Sequence, residues 1–212
     1  MIKKLQAALD FHVENGSECG CQLVVFKNGE PLCDLVSGYL DGSKTAKVDK
    51  NTLFPVFSAG KSILTTLVHI CVEKGFLDYA APVIKYWPEY GANGKKDTCV
   101  WHFLTHRSAM WNFPADLEYK HYYNWEKACE ALEKAPLAGK LGGFHEYHAY
   151  TYGILLGRLL EKATGRELRS LLKEFILEPL DITDFFWGSP GMRPANLAKI
   201  VPVTDADGNT LE

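Results

Sequence analysis

The chain has 212 residues, 47% of them apolar, enough to bury a sizeable core in one domain or in one domain with a helical subregion. Its 23 Lys and Arg against 26 Asp and Glu leave a net charge of -3, which supplies neither a basic stripe for nucleic acid nor a polybasic anchor for a membrane. The longest apolar run, near residue 70, is interrupted by His69, Glu73 and Lys74 and falls well short of the roughly 20 residues a membrane span needs.

The N-terminal MIKKLQAALDFHVENG carries acidic and polar residues where a secretory signal would place its apolar segment, so no export signal is expected. Cysteines at 19, 21, 33, 71, 99 and 129 show no C-x-x-C spacing. They read as packed thiols in a reducing, cytoplasmic setting, with Cys19-Gly20-Cys21 a weak metal or redox hint.

Apolar residues at 2, 5, 9 and 13 follow a helical period that Gly16 closes, which predicts an amphipathic helix. CQLVVFK at 21–27 and PLCDLVSGY at 31–39 flank Asn28-Gly29, a dipeptide that accepts positive φ at both positions, and so predict a β-hairpin. A polar, turn-rich loop at 41–51 follows. SILTTLVHICVEKG, ending at Gly75, is apolar on more than one face and reads as a buried helix.

YAAPVIKYWPEY at 79–90 suits a short helix broken at Pro88. TCVWHFLTHRSAM is a short helix running into a polar turn, and Asn124 to Ala135 is an amphipathic helix. After the Gly-rich connection Gly139 to Gly143, the latter part of FHEYHAYTYGILLGRLLEKATG predicts a second buried helix ending at Gly165, and Arg166 to Leu177 continues as helix. From Glu178 the chain turns irregular and ends in polar DADGNTLE. Five or six helices therefore stand against two strands, and an isolated hairpin is marginal in water, so the sheet needs further strands.

LFPVFSAGK, Leu53 to Lys61, sets Ser58 three residues before Lys61 at a predicted helix start. Residues three apart share a helix face, so the amine reaches the hydroxyl, and the free N–H groups of the first turn point toward an anion formed there. Ser is also an ordinary N-cap, and about one S-x-x-K arises by chance in a chain of this length. A second copy, Ser170 to Lys173, falls inside a helical pattern and reads as the chance one.

Two competing motifs fail at one position each. Gly60-Lys61-Ser62 ends like a P-loop but has Pro55 where that loop needs glycine. Phe57-Ser58-Ala59-Gly60 resembles half of a nucleophile elbow but has Val56 at the first glycine position. His102 and His106 are four apart, and His145 and His148 three apart, without the Glu of H-E-x-x-H, so packing or rim positions are expected of them.

A serine hydroxyl is a poor nucleophile until a base takes its proton, and a lysine serves only as the neutral amine. A phenol can then pass the proton to the leaving group. Tyr147, between a Gly-rich loop and a buried helix, is the candidate for that part.

SAGK, LDYAAPVIKYWPEY, VWHFLTHRSAM and YHAYTYGILLGRLLEKATG, in this order, resemble the beta-lactamase-related serine hydrolases: class C beta-lactamases, DD-peptidases and, nearest in pattern, family VIII carboxylesterases. The resemblance, over about residues 20 to 190, implies an α+β, beta-lactamase/DD-peptidase-like fold. It implies Ser58 as the acylated nucleophile, Lys61 as its base partner and Tyr147 as the tyrosine of the family's Y-x-N motif, with the Ser58 N–H in the oxyanion hole and no metal or organic cofactor. His148 is expected to contact substrate, and Trp111 and Phe113, after the T-H-R-S-A-M turn, are expected either as acyl-pocket walls or as core packing.

Ala149 replaces the asparagine of Y-x-N, the Y-H-A form of esterase-like relatives, which points to simple esters over lactams. No third motif (K-T-G or its variants) is recognised after Leu180, so the C-terminal sheet strands and one oxyanion donor are expected to be missing and the chain to be weakly active by itself. It therefore reads as one incomplete domain over 1–212, with a helix and sheet part at 1–57 and a mainly helical part at 58–190. The expected partner is a small ester or amide. The rival reading is a non-catalytic interaction protein or fragment whose open sheet edge pairs with another chain.

Overall fold

The structure, a computed structural model, describes residues 1–188 and 194–202. The polar end at 205–212 and the last two positions of the 58–190 part lie outside the described residues. The chain forms two compact units, Met1–Val56 with the segment from Phe186 onward, and Phe57–Phe185.

In the first unit, α1 spans Ile2–Glu14 and the chain leaves it through Gly16 at φ 79°, as the period and the glycine predict. Strands β1 (Gly20–Lys27) and β2 (Glu30–Gly38) pair antiparallel with a bulge between Val25 and Phe26. Asn28 and Gly29 take φ of 54° and 83°, the primed turn whose twist matches a hairpin. Helix α1 is tied to β2 by Gln6 donating to the Val36 carbonyl at 3.1 Å and by the Ser37 hydroxyl donating to Asp10 at 2.7 Å. Among the described residues the sheet has these two strands. Outside it, an isolated parallel bridge pairs Leu53 with Leu197, Leu53 bonding Asn196 and Ala198 at 3.0 and 2.9 Å.

The second unit is helical. A 3₁₀ turn, Phe57–Ala59, leads into α2 (Gly60–Glu73), which buries Leu64, Leu67, Val68 and Cys71. The expectation of a helix apolar nearly all round is corrected here: Ser62, Thr66 and His69 are exposed and form a polar stripe with half-buried Thr65. Thr65 and Thr66 each donate to the carbonyl four residues back at 2.9 Å, so a helix-compatible sequence still carries a wettable face.

The helix expected over 79–90 is instead two 3₁₀ turns, Val83–Lys85 and Pro88–Gly91, because Pro82 and Pro88 carry no N–H to continue a helical ladder. Val83 N–H donates to Thr98 at 2.7 Å and Val100 N–H to Ala81 at 3.1 Å, which seats this segment on α3 (Val100–Leu104). Helix α4 (Trp125–Lys134) starts at Asn124, whose side chain caps the Lys127 N–H at 3.1 Å. Its far end is capped by the fully buried Lys95, whose ammonium donates to the Glu133 carbonyl at 3.0 Å and to Ala135.

Helix α5 (Thr151–Thr164) ends at Gly165 in the left-handed region, and α6 (Leu168–Leu172) runs on into a single π turn, Lys173–Leu177. Gly157 lets α5 approach its neighbours closely: a Cβ there would lie 2.8 Å from both Trp125 and Leu168. Leu67, Val68, Phe103, Leu155, Leu156, Leu159, Leu160 and Leu171 form the core of this unit. No helix among the described residues is long and apolar enough to cross a membrane.

Candidate active site

Ser58 sits in the 3₁₀ turn that opens α2, exposed at the mouth of a helix whose other face is core. The residue before it, Phe57, has φ 43°, a conformation that costs a bulky side chain on the order of 1–3 kcal/mol and sets the angle at which the turn is entered. One turn on, Lys61 directs its ammonium at the Ser58 hydroxyl, Nζ to Oγ 3.2 Å. The same Nζ donates to the Ala149 carbonyl at 2.8 Å and stands 4.9 Å from the centre of the Tyr147 ring. A chain segment 88 residues away thus fixes the amine.

Tyr147 is half exposed. The Ser58 hydroxyl beside its phenol, and then the Lys61 charge, hold it below the ordinary tyrosine range against a smaller opposing effect of burial. Tyr152, on the first turn of α5, joins the group from below with its ring centre 6.0 Å from Lys61 Nζ and its hydroxyl 2.6 Å from Thr65. Burial raises the Tyr152 phenol, so it remains protonated as a hydrogen-bonding strut.

The segment bearing Tyr147 is stitched to the turn after α3. Thr105 ends that helix and His106, at φ 57°, occupies the left-handed C′ position, with His106 N–H bonded to Phe103 at 3.2 Å and Arg107 N–H to His102 at 2.8 Å. Across the gap, Gly142 N–H donates to Arg107 at 3.0 Å and Ala138 N–H to Ala109 at 2.8 Å. Thr151 donates to the Met110 carbonyl at 2.6 Å, anchoring the start of α5 to the same turn.

Ser58, Lys61 and Tyr147 line one open cleft of about 480 Å³, together with His106, Tyr152 and the polar stripe of α2. His148, expected to touch substrate, does not line this cleft, and neither do Trp111 and Phe113, for which packing was the other expectation. His148 is fully buried, with Nε2 2.7 Å from the Ser108 hydroxyl and Nδ1 2.6 Å from the Glu146 carbonyl, and burial first of all depresses its pKa. A ring bonded on both nitrogens has no hydrogen-bonding capacity left for a ligand. Trp111 packs on Phe144 at 5.4 Å, and buried Phe113 packs on Tyr122 at 4.3 Å. His102 accepts the Cys99 N–H at 2.9 Å and stacks on Trp101.

Sequence reasoning expected only a packing or rim position of His106 and gave no part in the site to Tyr152 or to Ser62, Thr65, Thr66 and His69, which also line the cleft. The signal available for His106 was a histidine directly after a short helix, where a left-handed residue is required and glycine is usual. Among the described residues, no group of three or more His, Cys, Asp or Glu is arranged to hold a metal ion.

The helical unit thus carries a serine and a lysine together at the mouth of α2. The sequence model of the beta-lactamase family matches residues 5–210, and the chain belongs to that family, with its beta-lactamase/DD-peptidase-like fold. An esterase/beta-lactamase, LipL of Mycobacterium tuberculosis, is 31% identical over 91% of this chain and 44% of its own length. The teichoic acid D-alanine hydrolase of Staphylococcus aureus is 26% identical over 85% of the chain and 43% of its own length. Among solved structures, a family VIII carboxylesterase superposes with a TM-score of 0.86 at 28% identity, covering 94% of this chain and 55% of that one. The chain therefore spans less than half the length of these curated relatives.

Proposed function

We propose that this chain carries the acylation centre of a serine hydrolase acting on a small ester or amide, esterase-like more than lactamase-like. The observation that carries the reading is Lys61, held 3.2 Å from Ser58 Oγ by its bond to the Ala149 carbonyl, with the Tyr147 ring beside it. Of the two S-x-x-K copies, this one has its lysine fixed on the hydroxyl by a distant segment.

In this reading Lys61, as the neutral amine, takes the Ser58 proton along the same 3.2 Å line while Oγ attacks the substrate carbonyl carbon. The oxyanion that forms is met by the Ser58 backbone N–H at the start of α2. Collapse of the tetrahedral intermediate breaks the bond to the leaving group. Tyr147, whose phenol gives up its proton more readily than an ordinary tyrosine, passes that proton to the departing oxygen or nitrogen and is recharged from Lys61. Water then attacks the acyl-serine, its proton returns through the same groups, and the acid is released.

Preference for simple esters is supported by Ala149, whose methyl side chain offers no amide to hold a substrate's acylamino group, while its backbone carbonyl accepts from Lys61 at 2.8 Å. It is also in keeping with relatives named as an esterase/beta-lactamase and a carboxylesterase. The unpaired state of all six cysteines supports a reducing, cytoplasmic compartment.

Intact-mass measurement after exposure to a fluorophosphonate tests the nucleophile. One adduct on the wild-type chain and none on Ser58→Ala is expected. No adduct on folded protein, or an adduct that survives Ser58→Ala, would remove the hydrolase reading in favour of a non-catalytic role. Turnover of a p-nitrophenyl ester and of a cephalosporin, measured side by side, checks the substrate class. Faster ester turnover is expected, and preference for the lactam contradicts the inference from Ala149.

A further inference from the structure

The backbone amides of the two residues that flank Tyr147 both donate to a single residue of another loop. Glu146 N–H donates to the His106 carbonyl oxygen at 3.2 Å, and His148 N–H donates to His106 Nδ1 at 3.1 Å. The His106 ring also packs on the two tyrosines of the cleft, its centre 4.8 Å from Tyr147 and 4.6 Å from Tyr152. A ring nitrogen that accepts an amide proton carries none of its own, so neutral His106 holds its proton on Nε2.

We propose that His106 is the positioning residue of this site, pinning Tyr147 from both sides so that its phenol stays within reach of Ser58 and Lys61. The proposal rests on the acyl-serine reading above, because the placement of Tyr147 governs acylation only where Ser58 is the nucleophile. His106 acts through Tyr147 and not on the reacting atoms.

Three observations support a fixed, uncharged clamp over a proton carrier. Nδ1 is already occupied by the His148 amide. Lys61 of α2 and His145 and His148 of the Tyr147 segment face the ring, with Tyr147 and Tyr152 as its neutral walls. Burial first, and then the electrostatic influence of His148, His145 and Lys61, push its pKa down to about 4. The left-handed backbone of His106 is itself held by the Schellman bonds at the end of α3, so the clamp is anchored in the core helix and not in the loop it grips.

The experiment is fluorophosphonate labelling of the full chain, followed as a rate. His106→Ala removes the Nδ1 acceptor and is expected to lower the maximum labelling rate constant by about 10²-fold, the usual consequence of a small misplacement, with the half-saturating probe concentration unchanged. Asn takes the left-handed conformation readily and puts an amide oxygen where Nδ1 stands. His106→Asn should therefore recover the rate to within about tenfold of wild type, while His106→Gln, which lacks an acceptor at that position, stays as slow as Ala. Equal rates in all three variants, or rescue by Gln in place of Asn, would overturn the proposal.

A second measurement does not depend on labelling. Nitrogen-15 spectra of the wild-type imidazoles should show His106 protonated on Nε2 only, and the Tyr147 ring resonances should move in His106→Ala but not in His106→Asn. A proton on Nδ1, or unmoved Tyr147 resonances, sinks the clamp even if the chain is never acylated. A wild-type chain that resists the probe while these spectra hold would instead count against the acyl-serine reading alone.

Discussion

Ser58–Lys61 and Ser170–Lys173 have the same spacing, and both lie at or in a helix, yet the fold treats them differently. Lys61 reaches back to its serine at 3.2 Å and across to Ala149 at 2.8 Å, in a cleft it shares with Tyr147 and His106. Ser170 lies exposed within α6, its amide spent on the Glu167 carbonyl at 3.0 Å, and Lys173 is paired with Glu178 at 3.5 Å. The i, i+3 spacing brings a lysine within range of a serine in any helix. Among the described residues, what separates the copies is the distant segment that bonds Lys61 at the first.

Substitution at the two serines gives the largest contrast. Ser58→Ala should remove fluorophosphonate labelling, a loss of at least about 10⁴-fold when a nucleophile is deleted, whereas Ser170→Ala should leave it unchanged. An adduct mapped to Ser170 by peptide mass would erase the distinction. The lysines come next. Lys61→Met should slow labelling by about 10²–10⁴-fold, the range for loss of a positioned base, and Lys173→Met should not alter it. Equal effects of the two lysine changes would mean that Lys61 contributes only surface charge.

The smallest effect is a pH dependence of stability that the first site carries and the second does not. In the folded chain His106 is held to about 4, from an ordinary value of 6.5, and burial depresses His148 in the same direction. Between those limits the unfolded chain takes up protons that the folded rings refuse, so stability falls as the pH drops through the window and is fully present above it. The denaturant midpoint should therefore be lower at about pH 4.5 than at about pH 7, and His106→Asn should flatten part of that slope. An unchanged slope in the variant would show that His106 is not the group resisting protonation.

Much of the fold was legible because its causes are local. The period of residues 2, 5, 9 and 13, the Asn28-Gly29 turn, the amphipathic pattern of the helix from Asn124 to Ala135 and the Gly165 stop each act within a few residues, and each appears where expected. The site was legible only in part. His148 looked like a substrate contact from its place beside Tyr147, but it turns inward to Ser108, a partner 40 residues away that no local pattern announces. His106 was expected at a packing or rim position, and its hold on the Tyr147 segment was not legible because its two bonds there join separate loops. The polar stripe of α2 was hidden for a related reason: threonines bonded to their own helix read as neutral members of an apolar run.

The sequence by itself determined α1, the hairpin, the longer helices, the shortage of strands among the described residues and the membership in the beta-lactamase family, since periodicity, turn chemistry and ordered motif blocks are properties of the chain as written. Only the tertiary structure decided which serine has a fixed lysine, which histidine grips Tyr147 and which is buried away from the cleft. Those outcomes depend on hydrogen bonds between residues 40 to 88 positions apart, and such bonds exist only once packing of the helical core has brought the loops together.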